Sequence, residues 1–149
     1  ERFVNKLIDI TPNVKFDLYG INNIQPIWAD SFYKVIEKSK MGLNLSQGKP
    51  IKYYSSDRIT QLVGNGLLTF IDEKTQFGDF FKKDELIFYN SISELSDKII
   101  KYSLDDKERI KIARKGKCKY FKYFNSSLIA KYMITSTFGD KKTQYLWDQ

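Results

Sequence analysis

The sequence contains no histidine. That absence excludes Ser-His-Asp and Cys-His catalysis, His-ligated metals and the commonest general base, so acid–base work falls to carboxylates, Lys or Tyr, or to another part of a longer protein. There is one cysteine, Cys118. A single thiol makes no intrachain disulfide, and without a CxxC pair or a Cys/His cluster there is no zinc-binding spacing. A reducing cytoplasm fits best, and no cofactor or metal is expected. No apolar run is long enough to cross a bilayer or to form the core of a signal peptide. No internal repeat or low-complexity tract occurs. The first residue is Glu1 rather than Met, and the chain reads as a soluble piece of a longer protein.

What is present is enough for one core. Of 149 residues, 42% are hydrophobic and 15% aromatic, which suits a single domain of this length. Residues 1–139 are read as that domain and 140–149 as a polar tail anchored by Tyr145, Leu146 and Trp147. The formal net charge is +7. It is concentrated in the stretch 98–122, where ten cations, Lys98 and Lys122 among them, face only Asp105, Asp106 and Glu108. A solvated helix face is the simplest account, with peripheral membrane contact as the alternative. Nucleic acid is disfavoured, because the interleaved aromatics fall at helical spacing among isoleucines.

The periodicity alternates between strand and helix. Residues 2–10 place Phe3, Val4, Leu7 and Ile8 at helical spacing, and residues 14–19 alternate as a strand ended by Gly20. Asp30 is expected to cap a helix through Lys38. Residues 41–45, 67–71 and 86–89 read as buried strands, with one helical turn at 77–81 before the last. Ser91 or Ser93 then caps one helix, Asp105 or Asp106 a second, and the Asn125-Ser126-Ser127 run a third. The fold class is therefore α/β: a Rossmann-like open parallel sheet of about four strands flanked by helices, with a helical C-terminal segment.

Residues 40–72 carry the chemistry. The strand at 41–45 emerges at Ser46-Gln47-Gly48-Lys49-Pro50, where Gly48 permits a left-handed backbone or close approach to a ligand. Lys52, Tyr53 and Tyr54 follow at the same end of the sheet. Ser55-Ser56-Asp57 offers a helix N-cap that leaves the N–H groups of Ile59 and Thr60 open to an anion, with Arg58 or Lys52 adding a charge-assisted contact. Plain helix capping accounts for the same serines, and Gly64-Asn65-Gly66 reads equally as an ordinary helix stop.

Three blocks give these residues a resemblance. Residues 39–46 (Ser-Lys-Met-Gly-Leu-Asn-Leu-Ser), Asp57-Arg58-Ile59-Thr60-Gln61 and Gly64-Asn65-Gly66-Leu67-Leu68-Thr69 together are similar to the C-terminal, donor-binding half of a GT-B fold group 1 glycosyltransferase. The closer likeness is to the spore-maturation protein B-like family. Phe16-Asp17-Leu18-Tyr19-Gly20, the segment 85–89, Arg109, Ile112-Ala113 and Gly116 support it.

The resemblance implies a metal-independent hexosyltransferase type of enzyme that binds a nucleotide sugar and works with an N-terminal acceptor domain. It further implies that this chain alone is inactive. Arg58 and Lys52 would act on the leaving diphosphate. Asn44, Ser46, Gly48, Lys49, Tyr54, Ser55, Ser56, Asp57 and Gln61 would line the donor. The family pattern has a carboxylate where Gln61 stands, and Gln accepts a hydrogen bond there without supplying charge. A non-catalytic binding module of the same fold is the alternative.

Overall fold

The computed structural model describes residues 1–46, 48–139 and 145–147. Its centre is the apolar run of β2 (Leu68–Asp72), in which every residue but Asp72 is buried. A strand buried on both faces needs a partner on each edge. β1 (Met41–Asn44) pairs with one edge and β3 (Ile87–Tyr89) with the other, both parallel, giving the order β1-β2-β3. Met41 stands opposite Leu68 and Asn44 opposite Ile71, while Phe70 stands opposite Ile87.

Strand alternation then builds two cores. On one face Leu68, Phe70, Ile87 and Tyr89 meet Leu7 of α1 (Arg2–Asp9), Leu95 and Ile99 of α4 (Ile92–Leu104), and Ile112 and Ala113 of α5 (Asp106–Tyr123). On the other face Ile71 and Phe88 meet Ile59 and Val63 of α3 (Arg58–Gly64) and Phe81. Ile36 of α2 (Ala29–Lys38) joins Leu62 and Leu67 in a smaller cluster. Each fully buried Leu, Ile or Phe here contributes about 1.5–3 kcal/mol relative to exposure.

The C-terminal helices begin as the sequence predicts. Ser91 Oγ accepts from the Glu94 N–H at 3.2 Å, Asp105 Oδ1 from the Glu108 N–H at 2.9 Å, and Asn125 Oδ1 from the Leu128 N–H at 3.0 Å, the last opening α6 (Ser126–Thr137). Gly66 lies at φ +82°, and the Gly64-Asn65-Gly66 run stops α3.

Two local expectations are corrected. Residues 14–19 form no strand, so the sheet has three strands among the described residues. Val14 and Phe16 instead rest half-buried against the first core, and the left-handed Asn13 and Gly20 turn the segment at both ends. Its alternation is answered by side-chain packing, without a ladder. Asp30 is not a cap; Trp28 holds that position, and Asp30 sits in the first turn, where its charge favours the helix N-terminus. α6 has no buried residue.

α5 crosses the amino ends of all three strands. Arg109 Nη1 donates to the carbonyl of Lys40, just before β1, at 3.3 Å. Lys117 lies beside Gly66, just before Leu67 and β2. Gly116 sits so close to the Glu85 carbonyl, before β3, that an added Cβ would lie 2.2 Å from that oxygen. The carboxyl ends of the strands are left to loops.

Candidate functional site

Open parallel sheets bind ligands beyond the carboxyl ends of their strands, where loops diverge and backbone groups are unpaired. Here β1 delivers Asn44, 3% exposed, to that end. Its Nδ2 donates to Ser55 Oγ at 2.9 Å, its Oδ1 accepts from Ser56 Oγ at 3.3 Å, and Ser55 Oγ also donates to the Ser56 carbonyl at 3.0 Å. Arg58, the first residue of α3, donates from Nη1 to the Leu45 carbonyl at 3.2 Å. The segment entering α3 is thus stitched to the last residues of β1.

This arrangement changes the anion site expected from sequence. Asp57 stands at the N-cap of α3 in a helical conformation without a side-chain cap bond, and Ser55 and Ser56 are turned toward Asn44. The Ile59 and Thr60 N–H groups already donate to the Ser56 and Asp57 carbonyls at 3.1 and 3.0 Å. They are not open donors. The groups directed outward are side chains: Lys49, Lys52, Tyr54, Asp57 and Arg58 are all exposed, while Ser46 and Gln61 are half-buried. Gly48 has φ +79°, the left-handed conformation its residue type predicts. Gln47 lies outside the described residues. Asn44, Ser55, Ser56 and Arg58 are therefore brought together with the end of β1, whereas no hydrogen bond joins Gly48, Lys49, Lys52 or Gln61 to them.

Tyr53 is a residue that sequence reasoning passed over in favour of Tyr54. It holds φ +57°. Its N–H donates to the Thr75 carbonyl at 2.8 Å, its hydroxyl to Asp79 Oδ2 at 2.7 Å, and its ring meets Phe80 with centroids 4.9 Å apart. Lys52 Nζ lies 4.7 Å from the same ring centroid. One aromatic side chain thereby fixes the basic loop to the connection between β2 and β3.

The rim continues past β2 and β3. Asn90 Nδ2 donates to Glu73 Oε2, and the Asn90 N–H donates to Glu94 Oε2 at 2.9 Å. Glu94 also accepts from Lys98 Nζ at 2.6 Å, and Lys98 chiefly, then the Asn90 amide, holds its carboxyl below the usual range. A cavity of about 290 Å3 lies among Glu73, Lys83, Asn90, Glu94 and Lys98. Glu73 and Asn90 were missed; each directly follows a buried strand, and that position was the available signal. Nearby, burial first and the Asp72 charge second push the Tyr89 phenol above its ordinary value.

A larger cleft of about 660 Å3 opens at the opposite end of the sheet, lined by Tyr33, Lys34, Lys40, Asn65 and Arg109 among others. Its arginine is committed to the fold, since Arg109 Nη2 and Nε both donate to Asp106 Oδ1, at 2.9 and 3.2 Å. The candidate site is the carboxyl-end rim, where basic side chains stand outward on a loop. Among the described residues no group of three His, Cys, Asp or Glu side chains is placed to hold a metal ion. No helix of the described chain is long and apolar enough to cross a membrane.

A parallel sheet with a basic rim is common to many ligand-binding proteins, and sequence comparison narrows the field. The model of the family described as glycosyl transferase-like matches residues 1–135. This chain belongs to that family. Neither a curated protein nor a solved structure matches it. The match to the glycosyl transferase-like family spans every strand and nearly all of α6, so its general role is glycosyl transfer, carried on a Rossmann-like parallel sheet.

Proposed function

We propose that this chain is the donor-binding half of a GT-B type glycosyltransferase, holding a nucleoside-diphosphate sugar at the carboxyl end of β1. The observation that carries the reading is the junction of Asn44 with Ser55 and Ser56, which sets the start of α3 and Arg58 beside the basic loop. Arg58 and Lys52 are assigned to the leaving diphosphate, whose charge grows as the glycosidic bond breaks. Fixed cations stabilise that charge without reorganising. Lys49, Gly48 and Ser46 border the phosphates, Tyr54 and Asp57 flank them, and Gln61 orients a hydroxyl of the donor. The narrower likeness to the spore-maturation protein B-like group rests on Arg58, Gln61 and Gly66 at that group's spacing. In this reading a second Rossmann-like domain presents the acceptor, a hexosyl group is transferred without a metal, and the protein works in the cytoplasm.

A second reading, a binding module without transfer, is favoured by two observations. Gln61 supplies no charge, and the Ile59 and Thr60 amides already have partners. Calorimetric titration with uridine, guanosine, adenosine and cytidine diphosphates and their glucose conjugates tests both. The first reading expects one base to bind and Arg58→Ala to weaken it about ten- to hundredfold, the loss of one charged hydrogen bond. Unchanged affinity in Arg58→Ala and Lys52→Ala together would remove the site assignment. Nucleotide binding without sugar transfer by the full-length protein, acceptor domain included, unrestored by Gln61→Glu, would select the second reading.

A further inference from the structure

No Asp or Glu occurs between Arg109 and Gly139, while eight cations do. Four of these, Arg109, Lys111, Lys115 and Lys119, are paired with carboxylates. Arg114, Lys117, Lys122 and Lys131 are not, among the described residues. On α5, Ile110, Arg114, Lys117 and Phe121 recur at spacings of four, three and four, which places them in one stripe. Ile110 is 40% exposed and Phe121 53%. Two cations thus stand between two apolar side chains along one outward line.

α6 has the reverse of a buried helix's polarity. Leu128, Tyr132 and Thr135 share its inner side, where Tyr132 meets the rings of Tyr145 and Trp147 at 5.1 and 5.5 Å. At about 100° per residue, Ile129, Met133 and Ile134 fall on the half facing away, and Phe138 follows as the C-cap. Their exposures are 39%, 63%, 59% and 83%. The outward half of this helix carries exposed Ile129, Met133 and Ile134, and Lys131 is its only charged residue.

We propose that the α5–α6 arm docks on an anionic phospholipid bilayer, the unpaired cations meeting lipid phosphates and the outer residues of α6, with Phe138 at its end, entering the acyl boundary. The inference is independent of the donor site. A second copy is a poor occupant, because it would bring the same positive face against itself. Nucleic acid would take the cations but leave the aliphatic residues of α6 unused. A lipid surface satisfies both, and α6 lies on it without spanning it.

Flotation tests this with the 149-residue chain on vesicles of phosphatidylcholine alone and of phosphatidylcholine mixed with phosphatidylglycerol. The chain is expected to float with the mixed vesicles and not with the neutral ones. Arg114→Glu/Lys117→Glu is expected to lower recovery by about tenfold or more. Ile134→Ser/Phe138→Ser, changed at exposed positions, is expected to lower it severalfold with circular dichroism unchanged. Equal recovery on neutral vesicles, no flotation at all, or insensitivity to either double substitution would overturn the proposal. So would single-stranded RNA binding tightly while mixed vesicles recover nothing.

Discussion

Asn44 and Ser55 share a hydrogen bond of 2.9 Å that ties the carboxyl end of β1 to the segment entering α3. Because Asn44 is 3% exposed and also bonds Ser56, its amide is the fixed point of the proposed donor site. Asn44→Ala should cost about 1–3 kcal/mol, the penalty for unpairing buried polar groups. Ser56→Ala removes only the 3.3 Å bond and should cost about 1 kcal/mol or less. Urea midpoints rank the two; equal losses would mean that Asn44 packs without anchoring.

Tyr53 is the strap of the basic loop. Tyr53→Phe removes the 2.7 Å bond to Asp79 and should cost about 0.5–1.5 kcal/mol. Tyr53→Ala also loses the Phe80 contact. Trypsin should then cut after Lys52 severalfold faster than in the native chain, while the core strands stay protected. No acceleration would show that the loop is held by something else.

Two glycines separate backbone from side-chain crowding. A Cβ on Gly116 would meet the Glu85 carbonyl at 2.2 Å, and one on Gly42 would meet Leu62 Cδ2 at 2.5 Å. A leucine tip can turn aside and a carbonyl at a strand's start cannot. Gly116→Ala should destabilise by about 3 kcal/mol or more, and Gly42→Ala by about 1 kcal/mol, at the two ends of the overpacking range. Thermal melts measure both, and the reverse order would contradict the crossing of α5 over the strand ends.

Ion pairs give the stability curve two limbs. Arg109 chiefly, then Lys40, holds Asp106 below its ordinary 3.8, and Lys115 does the same to Asp84. Folded values below unfolded ones mean that this stability is present above about pH 4 and is lost as pH falls through the lowered values. Asp84 in turn raises Lys115 above 10.5, a contribution present below that pH and lost as pH rises through the raised value. The raised Tyr89 has the same alkaline sign, beginning at its ordinary 10.0. Asp84→Asn should flatten the acid limb and part of the alkaline limb, and Tyr89→Phe only the alkaline one. Denaturant titrations across pH separate them.

The legible parts of the fold were those governed by local rules. Ser91, Asp105 and Asn125 cap helices because their side chains reach backbone three residues on, and Leu68 to Ile71 is buried because an unbroken apolar run has no polar face to show. What failed depended on distant residues. Val14 and Phe16 alternate like a strand, yet whether they pair is decided by which strand edge lies nearby. Ser55 and Ser56 read as caps until Asn44, eleven residues upstream, offered both hydroxyls a buried partner. Of the candidate site, the loop and its cations were legible; the Tyr53 strap and the Glu73–Asn90 link were not, since each joins separate loops.

The central claim is tested most directly by amide chemical-shift mapping as the nucleoside diphosphate that binds is titrated into labelled protein. The account predicts shifts concentrated at Asn44, Lys49, Lys52 and Ser55 to Gln61, with Tyr33, Lys40, Asn65 and Arg109 at the far end of the sheet unmoved. Shifts confined to those four residues of the 660 Å3 cleft, or no shifts from any of the four common diphosphates, would contradict it.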